Sequence, residues 1–157
     1  MIRMPVSAMI GLFFTALYFL AAIFAPVIAP YGMAEVVGDV WEPMSAEHWL
    51  GTDSIGRDLL TRMIYGGRTT IFIATMATIL SFTTGSVLGF LAATVGGWVD
   101  QALSRFVDLM MAIPSLIFAL VVLSVMTVTV TVLIFVMGLL DATRVYRLAR
   151  AVAVDIT

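Results

Sequence analysis

The stretch Thr69–Val99, TTIFIATMATILSFTTGSVLGFLAATVGGWV, runs for 31 residues between Arg68 and Asp100 without a charged side chain. An α-helix rises about 1.5 Å per residue, so about 20 apolar residues cross a hydrocarbon core roughly 30 Å thick. This run is long enough to span. Two more flank it, with 31 uncharged residues between Arg3 and Glu35 and 32 between Asp108 and Asp141. Over the whole 157-residue chain 62% of residues are hydrophobic, 11% are charged, and the mean hydropathy is +1.11. A water-soluble domain carries roughly 25% charged residues, so the chain is read as an all-α, polytopic integral membrane helix bundle in contact with membrane lipid.

Several residue types are missing. Every basic residue is arginine, cysteine is absent, and His48 is the one histidine. Without lysine there is no Walker A phosphate loop. Without cysteine there are no disulfides, thiolate nucleophiles, iron–sulfur clusters or Cys/His zinc sites. His48 lies in Glu47-His48-Trp49-Leu50, with no nucleophile elbow nearby, and reads as a surface histidine at a membrane interface. No catalytic, cofactor-binding or metal residue is assigned, and no nucleic-acid partner is expected.

The first span is placed at about 6–28. It ends where Pro26, Pro30, Tyr31 and Gly32 stop a helix or begin a turn, and it is too long and too evenly apolar for the core of a cleaved signal peptide. Residues 31–68 form an acidic aqueous connector, with Glu35, Asp39, Glu42 and Glu47 ahead of any arginine. From Asp53 onward, Ile55, Leu59, Leu60, Met63 and Ile64 recur at helical spacing with Arg57, Asp58, Thr61 and Arg62 on the other face. This predicts a short amphipathic surface helix. Thr52 or Asp53 is expected to cap it, Asp58 to pair with Arg62, and Gly66-Gly67 to bend the chain into the second span at about 69–95.

Within that span Ala77, Ser81, Gly85, Gly89 and Ala93, continued by Gly97, are small residues four apart. Such a stripe lets another helix approach closely, and packing inside one bundle is preferred to a subunit contact. An inner link at about 96–106 carries Trp98 as an interface anchor. Asp100, Arg105 and Asp108 follow, with Arg105 and Asp108 three apart and able to pair. Pro114 predicts a kink. The last apolar stretch is too long for one span, since 32 residues of helix would measure about 48 Å. It is divided into spans at about 107–125 and 130–147, with the turn among residues 125–131. Arginine counts alone favour three spans, because four place Arg3, Arg105, Arg144, Arg147 and Arg150 on one side against Arg57, Arg62 and Arg68.

The stretch Leu50-Gly51-Thr52-Asp53-Ser54-Ile55-Gly56-Arg57-Asp58, followed by Arg62, Ile64, Tyr65, Gly66 and Arg68, resembles the signature of dipeptide/oligopeptide-type ABC transporter permeases, C-type subunit. Gly96-Gly97-Trp98-Val99-Asp100, Arg105, Asp108 and Pro114-Ser115-Leu116 are similar to the same family in order and spacing. The resemblance implies four spans, an external connector, a cytoplasmic inner link and a bacterial inner-membrane location. It also implies three kinds of protein partner: a second permease subunit, separate ATP-binding subunits and an external solute-binding protein. By the same resemblance, Gly51, Thr52, Asp53, Gly56, Arg57, Asp58 and Arg62 would shape an outer gate or binding-protein interface, and Asp100, Arg105 and Asp108 would hold the inner link. Trp49 stands where the family commonly has proline. The family places a Glu-Ala-Ala-x-x-x-Gly loop and two more spans after the fourth, so the chain is expected to be the N-terminal part of a permease transmembrane domain. A non-transporting membrane scaffold or accessory subunit is the alternative.

Overall fold

The structure, a computed structural model, describes residues 5–154, and Arg3, counted above on the inner side, lies outside them. The described residues are helical apart from their connectors and one isolated antiparallel bridge, Thr52 to Asp58. The chain divides into two compact units, Met1–Phe72 and Ile73–Thr157.

The first unit begins with α1 (Val6–Ile23) and the single turn α2 (Ala25–Ile28). Pro26 has no amide hydrogen to extend the helical ladder, so the helix breaks at Phe24 and restarts with the proline in its first turn. Ala29 is extended (φ −67°, ψ 129°), as a residue before proline prefers, and Pro30 ends the run. Nearly every large side chain of α1 is exposed while Ala22 and Ala25 are buried. For a spanning helix, that outer face belongs to lipid. The connector that follows has no helix before α3 (Leu59–Val95).

α3 differs from the sequence expectation. The amphipathic segment and the second span form one helix of 37 residues, and Gly66 and Gly67 lie inside it with no bend between two separate elements. Glycine weakens a helix interior by only about 0.5–1 kcal/mol relative to alanine, a cost that the flanking turns outweigh. At about 55 Å the helix is longer than a hydrocarbon core is thick.

The second unit contains the rest of α3, then α4 (Gly97–Ala112), α5 (Ser115–Val125) and α6 (Val130–Val154), with α6 packed against both α4 and α5. α4 and α5 meet at 86°. Pro114 stands at the break, with Ile113 before it held extended (φ −89°, ψ 126°). Residues 126–129 join α5 to α6. Among the described residues α1 and α3 are each long and apolar enough to cross a membrane, and α4 with α5 reaches that standard only as a bent pair. The uncharged part of α6, 130–140, covers about 16 Å; beyond it come Asp141, Arg144, Arg147 and Arg150.

Candidate functional site

The nine-residue stretch from Leu50 folds as a knot of buried polar groups at the start of α3. The Asp53 carboxylate accepts the amides of Ile55 and Arg57 at 2.9 and 3.0 Å on one oxygen. Its other oxygen accepts Arg57 Nε at 2.9 Å and Arg62 Nη1 at 2.6 Å, and Arg57 Nη2 lies 2.8 Å from it as an ion pair. Burial alone would raise the Asp53 pKa, but the two amides and two guanidinium groups outweigh it and hold the carboxyl well below the usual carboxylate range. Thr52 Oγ1 donates to the Asp39 carbonyl at 2.5 Å and accepts the Glu42 amide at 2.8 Å. Asp58 Oδ2 caps α3 through the Thr61 amide at 2.7 Å, and its Oδ1 meets His48 Nδ1 at 3.3 Å.

Two glycines of the stretch permit this path. Gly51 (φ +77°) and Gly56 (φ +75°) are left-handed, and a Cβ on either would collide with the carbonyl oxygen of Glu42 or Gly38 respectively. Trp41 also has positive φ (58°), a conformation that costs a bulky residue about 1–3 kcal/mol. It is held there by its amide bond to the Asp53 carbonyl and by the Glu42–Thr52 bond that follows.

Three local expectations are corrected. His48 is buried, not on the surface: its ring meets the Asp58 carboxylate and its backbone amide donates to Ser45 Oγ, which folds it into the connector. Arg62 pairs with Asp53, nine residues away, and not with Asp58, whose two oxygens are already occupied by Thr61 and His48. The cap of α3 is Asp58, because the helix begins at Leu59, later than the periodicity predicts. Of the residues placed at an outer gate or interface by resemblance, Thr52, Asp53 and Asp58 are spent on internal bonds, and the guanidinium groups of Arg57 and Arg62 remain partly exposed. A cleft of about 600 Å³ opens beside the knot, lined by Ile28, Pro30, Tyr31, Trp49, Leu60 and Ile64 among others.

In the second unit the inner-link residues meet α6. Asp100 binds Arg150 through two parallel bonds, Nε to Oδ1 and Nη2 to Oδ2, the latter 2.6 Å. The hydrogen bonds from Arg150 outweigh burial and hold the Asp100 carboxyl below the usual range. Asp108 pairs with Arg147 at 2.6 Å and not with Arg105. Reach across to the facing helix decides this, and Arg105 is exposed with no ion pair shown among the described residues. Ser104 Oγ and the Tyr146 hydroxyl are 3.0 Å apart, and Tyr146 is buried against Ala92 and Val107. Sequence reasoning did not single out Tyr146, Arg147 or Arg150 as site residues. The spacing of Asp100, Ser104 and Asp108 along one face of α4 was the available signal.

The small-residue stripe divides in two. Ala77, Ser81, Gly85 and Gly89 are buried, and Cβ atoms at the two glycines would sit 2.6 Å from Val145 Cβ and 2.8 Å from the Tyr146 carbonyl. Ala93 is half-buried, and Gly97 belongs to α4 and faces open space. A four-residue step overshoots a helical turn by about 40°, so the buried face passes from the stripe to Ala92. Gly138 of α6, against Leu80, supplies a further close approach.

Residues 85–157 match the family described as the binding-protein-dependent transport system inner membrane component. Residues 6–40 match the N-terminal TM domain of oligopeptide transport permease C. The chain belongs to this family of inner-membrane transport components and is a multi-pass membrane protein. Within the family it is similar to the dipeptide transport system permease protein DppC of Escherichia coli (strain K12), with 45% identity over 126 residues that cover 76% of this chain and 42% of that protein. Identity to DppC of Haemophilus influenzae is 34% over 127 residues, covering 76% and 43%. The oligopeptide transport system permease protein OppC of Bacillus subtilis (strain 168) shares 32% over 144 residues, covering 89% and 47%. The chain thus spans less than half the length of these relatives.

Proposed function

We propose that the chain forms part of the passage for peptides or similar small solutes in a binding-protein-dependent ABC importer. The observation that supports this best is the agreement with a permease of oligopeptide transport across 89% of the chain, taking in both the connector and the inner helices. In this reading the spans lie at about 6–28, 69–95, 107–125 and 130–147, the connector 31–68 is external and the link 96–106 is cytoplasmic. The fourth span carries Asp141, Arg144 and Arg147 and is the most polar of the four. Its apolar half pairs with α5, and its charged half lies toward the inner aqueous boundary, as a positive-inside bias favours.

The chain itself contributes no nucleotide chemistry in this scheme. ATP hydrolysis belongs to separate subunits, a second permease subunit completes the passage, and an external binding protein delivers solute. The buried knot around Asp53 shapes the outer mouth by holding the connector on α3, leaving Arg57 and Arg62 at its rim. Alternation between inward- and outward-open states would be a rigid-body change of the helices. The test is to purify the chain with its ATP-binding and permease partners, reconstitute it in vesicles, and measure di- and tripeptide uptake with binding protein present. Peptide-stimulated ATP hydrolysis with uptake is expected. Stable assembly without either would instead support a scaffold.

A further inference from the structure

The contacts between α4 and α6 are of a different kind from the rest of the second unit. α3 meets α6 through glycines and alanines, whereas α4 meets α6 through three polar bridges stacked along one face: Asp100 with Arg150, Ser104 with Tyr146, and Asp108 with Arg147. Their strengths differ. The Asp108–Arg147 pair is more than half exposed on both sides, where water screens it, and it shares a cleft of about 300 Å³ with Ser104, Tyr146 and Arg150. Asp100–Arg150 is bidentate, with Arg150 37% and Asp100 22% exposed, and is braced by Ser104, which also donates to Asp100 Oδ1. Tyr146, 2% exposed, fills the space behind it with Ala92 and Val107.

We propose that the Asp100–Arg150 pair and Tyr146 latch α4 to the C-terminal half of α6, so that the two move as one rigid body during transport. The proposal rests on the transport reading given above. A bidentate Arg–carboxylate fork restricts both rotation and sliding, which a single point contact does not. Asp100 is in the first turn of α4, where a carboxylate is also favoured by the helix dipole. Arg150 and Tyr146 are one turn apart on α6, so any slide of α6 along α4 would break both bridges together. Asp100, Arg150 and Tyr146 are therefore positioning residues.

The chain contains no cysteine, so spin labels can be attached at L109C and L148C, both on exposed side chains of the two helices. Pulsed electron resonance on the assembled transporter in lipid nanodiscs would then read the α4–α6 distance. One narrow distance is expected, the same with and without bound nucleotide. D100N should broaden or split it, while D100E, which keeps the carboxylate, should leave it narrow. A distance that shifts with nucleotide, or a D100N distribution as narrow as the parent's, would overturn the latch. Absence of peptide-stimulated hydrolysis in the parent assembly would instead count against the transport reading, independently of the α4–α6 distance measured in that assembly.

Discussion

Asp53 accepts four hydrogen bonds, one from each of four groups, in a chain of low overall charge, and its ionised form ties the connector to the start of α3. Its folded pKa lies below the ordinary value, so the unfolded chain binds the proton more readily. The stabilisation is therefore fully present above about pH 4, the unfolded carboxylate range, and is lost as the pH falls through the depressed value. Thermal unfolding in detergent should show D53N less stable than the parent at pH 7, with the gap narrowing as the pH is lowered toward 3. A gap independent of pH would contradict the assignment. The glycines make a second pair of predictions. G51A introduces both a left-handed alanine and a collision with the Glu42 carbonyl, and should cost about 1–3 kcal/mol or more. G66A, in open space inside α3, should raise helix stability by about 0.5–1 kcal/mol. Melting curves of the two variants should move in opposite directions.

At the scale of elements, the α3–α6 crossing depends on the absence of side chains. G85V would drive a branched side chain into Val145 and the Ala142 carbonyl and should destabilise by about 1–3 kcal/mol through overpacking. G11V, on an α1 face with nothing nearby, should stay within about 0.5 kcal/mol. Equal losses in a chaotrope titration would refute the difference. Part of the helices was legible beforehand: the charge-free runs marked α1 and the stretch of α3 beyond Arg68, and Pro114 marked the bend at Ile113, whereas the break at Phe24 falls inside what reads as one span. Gly66-Gly67 misled because a glycine pair permits a bend without requiring one. The periodic stripe was legible as a packing face only over Ala77–Gly89, because a fixed four-residue period drifts off a 3.6-residue helix.

For the whole molecule, the orientation can be read from single cysteines in the cysteine-free chain. A membrane-impermeant maleimide added outside intact cells should label E35C in the connector and spare Q101C in the inner link, with labelling reversed in inside-out vesicles. Labelling of Q101C from outside would refute the proposed sidedness.

The sequence by itself determined that the chain is helical and membrane-embedded, because the hydropathy of a 20-residue run is a local sum that holds whatever its neighbours are. It also marked the nine residues from Leu50 and the inner link as special. Which charges meet was decided only by the tertiary structure. Local spacing offered Asp58 to Arg62 and Asp108 to Arg105, yet Arg62 goes to Asp53, Asp108 to Arg147, and Asp100 to Arg150, 50 residues away. A helical neighbour at three or four residues gains only a few tenths of a kcal/mol from pairing. A partly buried fork on a facing helix gains more, and the close α3–α6 packing at Gly85 and Gly89, together with buried Tyr146, brings that facing helix within reach.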